Sequence, residues 1–390
     1  MTRTVKSDAD DPLDRVATAT GLREGREGVV GLLRAVHRLG PGPLNRVARE
    51  ARLPVPIAAA VRRELEREGL LGRTGGVSLT RAGERFVAGS LGLGEPVSVR
   101  CAPCGGTGLA VPDAEFVNEL KRFMGEAPPV DVTLDQAPCT AETAIRRALL
   151  MVEAGAVEGR RIVLLGDDDS LSLALGLVHR ALGMSPLPAP ITVLEIDPNW
   201  TAYLEAAATR ADLPVAIVRH DLRTPLTDAV AGRFDVMATD PPYTLAGASL
   251  FLARARQALA TEPGSLGFLS FAHLDPVRQR ALMAAIGETG FAVTAMMPGF
   301  NHYQGAGILG SVGQMMRLVA AAEAPEAVAH DGDLYTADVS PRERRYRCAG
   351  CGIVLSLGQG GVPATIEALK AAGCPQCGAG TFRRVSGGRG

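Results

Sequence analysis

Three consecutive carboxylates stand where an α/β enzyme would do its chemistry. Asp167, Asp168 and Asp169 follow the apolar run 162–165 and its terminating Gly166. Such a run is typical of a strand buried on both faces, and the glycine permits a tight turn after it. Nucleotide-binding turns at this place are usually glycine-rich and open to an anion. Three aspartates there favour a cationic ligand group.

Two more acids follow the next predicted strands. Asp197 comes after the strand at 191–196, where an acid can accept both ribose hydroxyls of a nucleoside. Asp221 comes after the strand at 215–219, where a side chain can meet an adenine amine. We therefore expect a nucleoside-containing donor to bind along this edge of the sheet, at Gly166, Asp167, Glu195, Asp197, Asp221 and Leu222.

A rigid turn presents one more acid at the centre of the same edge. Asp240 is followed by Pro241, Pro242 and Tyr243. Because proline fixes its own φ and cannot donate a hydrogen bond, this turn directs Asp240 outward into the cleft. A single aspartate after a strand is more often a helix cap than a ligand. Acids after four strands of one domain favour ligands, since capping would need four coincidences.

The strands that position these acids must end at one edge of a sheet. Predicted strands and helices alternate along the chain, which requires a mostly parallel, three-layer α/β sheet. Ser170 is expected to cap the first helix. The last two strands have no helix between them, as in a terminal antiparallel pair. The predicted strands are 162–165, 191–196, 215–219, 234–239, 266–271, 291–297 and 314–319, and the helices are 171–183, 198–211, 244–260 and 274–289.

This arrangement resembles the Rossmann-like fold of the S-adenosylmethionine-dependent transferases. The usual methyl donor carries a carboxylate near the first turn, and three aspartates would repel it by roughly several kcal/mol. A decarboxylated donor keeps the amine and lacks the carboxylate. The acidic turn therefore favours decarboxylated S-adenosylmethionine as the co-substrate, and hence aminopropyl transfer.

Several motifs resemble those of the branched-chain polyamine synthase family, N4-bis(aminopropyl)spermidine synthase. The likeness covers about residues 27–320, and its motifs are 166–169, 220–226, 240–244 and 298–303. It implies transfer of an aminopropyl group to an amine such as spermidine, with release of methylthioadenosine. It also implies that Asp169 is the base and that Asp167 and Asp168 hold the donor or acceptor amines. We keep Asp240, at the rigid turn, as the alternative base.

The predicted acceptor pocket departs from the family pattern at two positions. Tyr243 and His302 stand where the family has acids, so a polycationic acceptor loses two partners. The acceptor is then either a polyamine or a larger amine such as a peptide. The residues expected to meet it are Pro241, Pro242, Tyr243, His302 and Tyr303.

Two other functions are compatible with the motifs. The Asp-Pro-Pro-Tyr sequence at 240–243 resembles the motif of N-methyltransferases that act on nucleic acid or peptide. In that motif the acid and a backbone oxygen hold the target amine, and the tyrosine stacks on a flipped base. A DNA-binding regulator that senses the nucleotide is the other alternative. The acidic turn favours aminopropyl transfer, with nucleic acid possible but not favoured as a partner.

The N-terminal part predicts a winged helix. Residues 1–25 are polar and aperiodic and are expected to be a mobile arm. Residues 26–95 contain three helices, a hairpin and a further helix. The third helix carries Arg62 and Arg63, which would suit DNA, but the glutamates that follow dilute its positive charge. We therefore favour an accessory or dimerisation role, and we expect a homodimer.

Two cysteine motifs flank the predicted transferase domain, residues 140–322. The linker 96–139 contains Cys101 and Cys104, half of a four-ligand zinc site, which could share a metal, form a disulfide or be a turn. The segment 342–385 has the spacing of a complete zinc ribbon with structural zinc, at Cys348, Cys351, Cys374 and Cys377. Flanking arginines leave a peptide, nucleic acid or another subunit as its possible partner.

The composition of the chain indicates the cellular compartment in which we expect the protein. The net charge of −1 indicates no general affinity for nucleic acid or anionic lipid. The chain contains no apolar run of eighteen residues, and its first residues lack the apolar core of a signal peptide. Six of the seven cysteines fall in Cys-x-x-Cys pairs, which suits a reducing compartment. We expect a cytoplasmic protein without a membrane segment.

Overall fold

A computed structural model describes most of the chain. The described residues are 11–101, 108–109, 114–261, 264–304, 312–336, 344–357 and 366–385. They fall into two compact units, which are described separately. The first unit comprises Met1–Pro129, Ala137–Pro241 and Ala248–His330, and the second comprises Val130–Gln136, Pro242–Gly247 and Asp331–Gly390. Within the described residues, no helix has the length and apolar character needed to cross a membrane.

The first unit begins with a small helical domain that has its own core. Three helices and a two-stranded wing follow an N-terminal helix, which gives a winged-helix arrangement. The elements are α1 (Pro12–Thr20), α2 (Gly25–Leu39), α3 (Leu44–Glu50), α4 (Val55–Arg67), β1 (Leu71–Gly72), β2 (Ser78–Leu79) and α5 (Arg81–Ser90).

The helix α1 corrects the expectation of a mobile arm over residues 1–25. Asp11 caps it by accepting a hydrogen bond from the backbone N–H of Leu13 at 2.9 Å. Leu13, Val16 and Ala17, at the i, i+3 and i+4 positions of one helix face, are buried in the helical core. One short apolar face in a polar segment is a weak periodic signal. The expectation still stands for residues 1–10, which lie outside the described residues.

The linker contains one helix and leads into the transferase domain. This helix is α6 (Ala114–Met124), and helix α7 (Ala141–Glu153) opens the transferase domain. The backbone N–H of Cys101 donates to the carbonyl of Gly108 at 2.9 Å. Cys104, the other half of the linker motif, lies outside the described residues.

The transferase domain is built on a sheet of seven described strands in the order β5-β4-β3-β6-β7-β9-β8. The first five strands are parallel, and β9 runs antiparallel to both of its neighbours, as the sequence predicts. The elements are β3 (Ile162–Leu165), α8 (Leu171–Ala181), β4 (Ile191–Glu195), α9 (Pro198–Arg210), β5 (Val215–Arg219), β6 (Val236–Thr239), α10 (Leu245–Ala258), β7 (Leu266–Ala272), α11 (Pro276–Glu288), β8 (Phe291–His302) and β9 (Val312–Ala320).

Strand β8 extends past the predicted end at residue 297. A register shift between Met297 and Asn301 accommodates Pro298 and Gly299, which would otherwise end a strand. This irregular extension brings Asn301 toward helix α7.

The sheet places its functional edge at β3 and β6. Every residue of both strands is buried. Because β3 lies between β4 and β6, the direction of strand addition reverses there. Ligands of open parallel sheets bind beyond the carboxyl ends of the strands at such a switch point.

The second unit contains the C-terminal ribbon, which we define as residues 344–385. It consists of β10 (Arg344–Cys348), β11 (Val354–Leu357), α12 (Ile366–Ala372) and β12 (Phe382–Arg384). The described strands form an antiparallel sheet in the order β11-β10-β12. In the same unit, the hydroxyl of Thr244 donates to the carbonyl of Leu334 at 2.6 Å.

Candidate active site

A cavity opens beyond the carboxyl ends of β3 and β6. Its polar lining is dominated by carboxylates, and its apolar lining comes from the sheet and from α8. The lining residues include Gly166, Asp167, Asp168, Asp169, Asp240, Arg147 and Ser270. The predicted acidic turn and the predicted Asp-Pro-Pro turn therefore meet at one cavity.

The acidic turn is shaped from its first residues. Gly166 has φ +72°, which favours glycine, and its N–H donates to the carbonyl of Leu194 at 2.9 Å. Asp167 is buried and accepts hydrogen bonds from the N–H groups of Leu171 at 2.6 Å and Ser172 at 3.1 Å. Asp167 thus caps α8, and burial raises its pKa to about 8.

The sequence predicts that Ser170 caps helix α8, but the side chain of Ser170 does not do so. It has left-handed backbone angles, with φ +55°, and its side chain makes no capping hydrogen bond. The side chain of Asp167 reaches across the turn and caps the helix instead. A carboxylate that was predicted to bind the donor therefore also has a structural role.

A short loop holds the other two aspartates of the turn. The backbone N–H of Ala137 donates to Asp168 Oδ2 at 2.7 Å, and that of Cys139 donates to Asp169 Oδ1 at 2.5 Å. Burial and the neighbouring carboxylates of Asp169 and Asp240 raise the pKa of Asp168 well above its usual value. A cation that enters the cavity would favour the ionised form of Asp168.

Arg147 is the central residue of the site, and the sequence analysis missed it. Its side chain is 2% exposed. One edge of the guanidinium forms an ion pair with Asp169, and Nη2 donates to Asp240 Oδ2 at 2.9 Å. Its Nε donates to Asn301 Oδ1 at 2.9 Å, and its Nη2 also reaches the hydroxyl of Tyr303 at 3.3 Å. One buried cation therefore links α7, the acidic turn, β6 and β8.

The position of Arg147 in the sequence does indicate that it has a buried partner. It lies on the apolar face of α7 among Ala144, Ile145, Ala148 and Met151, all of which are buried. A charged residue in such a position needs a buried partner, because an unpaired buried charge is strongly unfavourable. Since the acidic turn follows this helix, the partner could have been sought there.

Asp240 retains an oxygen for a ligand. Its Oδ2 accepts from Arg147 and, at 2.9 Å, from the hydroxyl of Tyr303, whereas its buried Oδ1 has no hydrogen-bond partner in the described part of the chain. Burial raises the pKa of Asp240 to about 7, against the opposing effect of Arg147. Orphaned buried oxygens are rare, so this atom marks a place for a donor group.

The predicted donor residues lie at the ends of β4 and β5. The Glu195 carboxylate accepts from the N–H groups of Asp167, Ile196 and Asp197 at 2.9–3.2 Å, and burial raises its pKa. It thereby ties the acidic turn to the end of β4. Of these donor residues, the described cavity is lined only by Gly166 and Asp167.

Asp197 and Asp221 also have structural partners. Asp197 Oδ1 caps α9 by accepting from the N–H of Asn199 at 2.8 Å. Asp221 pairs with the guanidinium of Arg223 at 2.8 Å, which lowers the pKa of Asp221 although burial acts in the opposite direction. Leu222 is buried beside it. The capping role that the sequence analysis set aside is therefore real for Asp197.

Only some of the residues predicted to bind the acceptor lie next to Asp240. Tyr303 contacts Asp240 and Arg147, and Pro241 is buried next to Asp240. His302 has an exposed side chain and does not line the described cavity, because its backbone pairs with residues 140 and 143. Pro242 and Tyr243 belong to the second unit.

The second unit holds the predicted cysteine cluster. The Sγ atoms of Cys348, Cys351, Cys374 and Cys377 all lie within 4.8 Å of one another. The closest pairs are Cys348 with Cys377 at 3.5 Å and Cys351 with Cys374 at 3.6 Å.

Comparison with known proteins agrees with this geometry. The sheet order, the antiparallel seventh strand and the cavity at the switch point define a Rossmann-like transferase of the S-adenosylmethionine-dependent type. The model of the branched-chain polyamine synthase A C-terminal domain matches residues 115–345. This chain belongs to the branched-chain polyamine synthase family.

Two archaeal relatives and one solved structure show the range of the likeness. An uncharacterized protein of Methanocaldococcus jannaschii is 35% identical over 89% of this chain and 87% of its own length. The N(4)-bis(aminopropyl)spermidine synthase of the same organism is 30% identical over 64% of this chain and 70% of its own length. The branched-chain polyamine synthase of Thermus thermophilus, solved with N4-aminopropylspermidine and 5'-methylthioadenosine, matches with a TM-score of 0.53 and 26% identity, covering 84% of this chain and 98% of the other.

Proposed function

We propose that this protein transfers an aminopropyl group from decarboxylated S-adenosylmethionine to the amine of a polyamine and releases methylthioadenosine. The unpartnered Oδ1 of Asp240 in the carboxylate-lined cavity is the observation that carries the proposal. The family supports it, since the Thermus thermophilus relative was solved with the corresponding product nucleoside and an aminopropylated polyamine.

The reaction needs a neutral amine beside an electrophilic carbon. The acceptor nitrogen attacks the propyl carbon next to the sulfonium, so that a C–N bond forms and the C–S bond breaks. The electron pair of the C–S bond stays on sulfur, and the amine proton passes to a carboxylate. Because the sulfonium is a good leaving group, alignment and deprotonation are the tasks left to the protein.

Asp240 is the better candidate for the base, and Asp169 for its support. Both oxygens of Asp169 are engaged, one by the N–H of Cys139 and the other by Arg147. Within the described part of the chain, Oδ1 of Asp240 has no partner, and the Asp240 pKa of about 7 lies in the range in which a carboxylate can accept a proton near neutral pH. Asp168, which lines the same cavity, would hold an ammonium group of the donor or the acceptor.

The charge of the cavity favours the decarboxylated donor. Asp167, Asp168, Asp169 and Asp240 face Arg147 as the only basic residue among those that line the described cavity. A donor carboxylate would find no unpaired cation among the residues that line the described cavity, because Arg147 already pairs with Asp169 and Asp240, whereas a donor amine would favour the ionised form of the neighbouring carboxyl groups. We assign the ribose to Asp197 and the adenine to the 221–222 turn, in keeping with their places at the ends of β4 and β5.

The acceptor of this chain need not be the one used by its named relatives. The resemblance implies acids at the positions of Tyr243 and His302, although His302 does not line the described cavity. In Methanocaldococcus jannaschii, a relative that aligns along more of this chain coexists with the named synthase. We therefore propose a polyamine as the acceptor and keep a larger amine, such as that of a peptide, as the second candidate.

The four ribbon cysteines fit a structural zinc ion. A tetrahedral zinc with Zn–S bonds of about 2.3 Å has sulfurs about 3.8 Å apart, close to the separations seen here. A side chain at Gly350 would lie 3.2 Å from Cys377 Sγ, so the glycine leaves room for the sulfurs to converge. Zinc would fix the two halves of the ribbon and take no part in the transfer.

The test of the reaction measures methylthioadenosine release. Full-length protein is mixed with spermidine and either decarboxylated S-adenosylmethionine or S-adenosylmethionine. We expect release only with the decarboxylated donor, and a loss of at least about 100-fold in kcat for Asp240→Asn. Asp275→Asn, at an exposed cap of α11, is the matched control and should leave the rate unchanged.

Each alternative has its own outcome in this assay. Methyl transfer from S-adenosylmethionine would support an N-methyltransferase instead. Turnover of a peptide amine but of no polyamine would support the larger acceptor.

A further inference from the structure

The C-terminal ribbon is a basic segment in a chain that is slightly acidic overall. Residues 344–385 contain six arginine or lysine residues and one acidic residue, Glu367, whereas the whole chain has 41 basic and 42 acidic residues. Four thiolates on one zinc ion would add two negative charges and leave the ribbon positive. The family model ends at residue 345, so the matched family domain does not account for this segment.

The strand register gathers three arginines on one face of the ribbon sheet. Arg347 on β10 lies directly opposite Arg383 on β12. Arg345 is two residues before Arg347, so it projects from the same face. All three residues are exposed, and the opposite face carries the buried Cys348 and Leu357. We call Arg345, Arg347 and Arg383 the basic face.

The positive charge of the basic face is not neutralised by acidic side chains within the described residues. Like charges directly opposite each other on neighbouring strands destabilise a sheet. Within the described residues, none of the three arginines forms an ion pair, and Arg347 donates only to the carbonyl of Gly352, at 3.2 Å. Elsewhere exposed arginines do pair with carboxylates, as Arg67 does with Glu64 at 2.6 Å. An anion from outside the ribbon would relieve this repulsion.

We propose that the basic face binds the phosphodiester backbone of a nucleic acid. Arginine presents a planar fork that matches phosphate oxygens, and all three charges of the face are arginines. A protein partner would instead be met by an apolar centre with aromatic residues, whereas the described neighbours of these arginines on the face are the exposed Ser356 and two half-buried valines, Val354 and Val385. This inference is independent of the proposed transfer reaction.

The test uses the full-length protein and fluorescence anisotropy. The probes are labelled single-stranded RNA, single-stranded DNA and duplex DNA of about 20 residues, with labelled polyglutamate as the acidic polypeptide. If the three arginines neutralise three phosphates of a single strand, the logarithm of the binding constant should fall as the logarithm of the salt concentration rises. This face should contribute a slope of about −2. We expect the triple variant Arg345→Ala, Arg347→Ala, Arg383→Ala to bind at least about tenfold more weakly and to lose most of that slope.

A second triple variant controls for net charge. Arg122→Ala, Arg233→Ala, Arg280→Ala removes the same charge from exposed positions outside the winged-helix domain and the ribbon. We expect it to bind nucleic acid like the unmodified protein, and we expect both variants to keep their zinc content and their methylthioadenosine release with a free polyamine. The relative affinities for RNA, DNA and duplex then identify the natural source of the phosphates.

Three results would overturn the inference. They are an absence of binding to any nucleic acid at low salt, equal losses in the two triple variants, and tighter binding to polyglutamate than to every nucleic acid. The last result would assign the face to an acidic protein partner.

Discussion

Arg147 places one positive charge among carboxylates that would otherwise repel one another. Its guanidinium contacts Asp169 and Asp240 at once, so it fixes the distance between the acidic turn and the Asp-Pro-Pro turn. Burial alone would lower the pKa of Arg147, but the surrounding carboxylates raise it well above its usual value. Arg147 is therefore a permanent cation and acts as a positioning residue for Asp240.

Removal of this cation should change the pH dependence of the reaction. Arg147 lowers the pKa of Asp240, which stands at about 7. Because the base must be ionised, the rate should rise with pH through about 7, and in Arg147→Gln this limb should move to higher pH. We expect kcat at pH 7 to fall at least about 100-fold. Arg147→Lys keeps the charge, so its limb should stay near the original position.

Two further measurements separate positioning from a loss of folding. Thermal unfolding reports any destabilisation by the unpaired carboxylates, and Arg122→Gln, an exposed substitution on α6, is the charge-matched control. An unshifted pH limb in a folded Arg147→Gln protein would contradict the positioning role.

At the scale of elements, helix caps and ligand positions coincide at the ends of strands. Asp167 caps α8 and Asp197 caps α9, each from the loop that follows a parallel strand. Asp167 uses both of its oxygens for this cap, whereas the cap bond of Asp197 needs only Oδ1, so a carboxylate can cap with one oxygen and meet a ligand with the other. The capping and ligand interpretations of a strand-end aspartate are therefore not exclusive.

A pair of substitutions at Asp197 distinguishes the two roles. Asparagine caps helices as well as aspartate does, so Asp197→Asn should leave the thermal stability unchanged and weaken donor binding by about 1–3 kcal/mol. Asp197→Ala should lose about 1 kcal/mol of stability as well. Calorimetric titration with the donor and thermal unfolding provide the two readouts. Unchanged donor affinity in Asp197→Asn would remove the ribose assignment.

The ribbon offers a prediction about metal content. We expect one zinc ion per chain and its loss in Cys374→Ser, because the ribbon has little core of its own and depends on the metal for folding. The transferase domain should remain folded. Elemental analysis with Cys101→Ser as the control tests this, and a full equivalent of zinc in Cys374→Ser would move the site to the linker.

The sequence predicts the regular elements of this fold better than its exceptions. The strands and the ribbon cysteines follow from periodicity and spacing. Helix α1 was missed because only Leu13, Val16 and Ala17 mark its buried face, and the end of β8 was missed because Pro298 and Gly299 usually interrupt strands. The candidate site was half predicted, since its acids lie at strand ends whereas Arg147 reaches it from the apolar face of the preceding helix, where a basic residue does not stand out as a ligand.

At the scale of the whole chain, the winged-helix domain and the transferase domain are joined within one compact unit. Arg160 has a side-chain exposure of 8% and binds both oxygens of Glu27 at 2.7 Å. Arg100 bridges Glu50 of α3 and Glu153 of α7 at 2.8–3.0 Å. On α4, Arg62 pairs with Glu66 on the same helix. These contacts favour the accessory role of the winged helix over the DNA-binding one.

The buried pair predicts that the two domains unfold together. Glu27→Gln leaves the Arg160 charge buried without a carboxylate, which should cost about 3 kcal/mol and shift a single denaturant transition. Glu126→Gln, which removes the exposed partner of Arg210, should cost less than about 1 kcal/mol. A separate early transition for the winged helix in Glu27→Gln would show that the domains are thermodynamically independent.

The acidic cavity has a consequence for turnover. Each aminopropyl transfer adds an amine, so the polyamine that leaves carries one more positive charge than the polyamine that entered. If Asp168 and Asp240 attract the substrate as proposed, they attract the product more strongly. We therefore expect release of the product to be the slow step of the cycle. Moderate ionic strength should therefore accelerate steady-state turnover even as it weakens the capture of substrate.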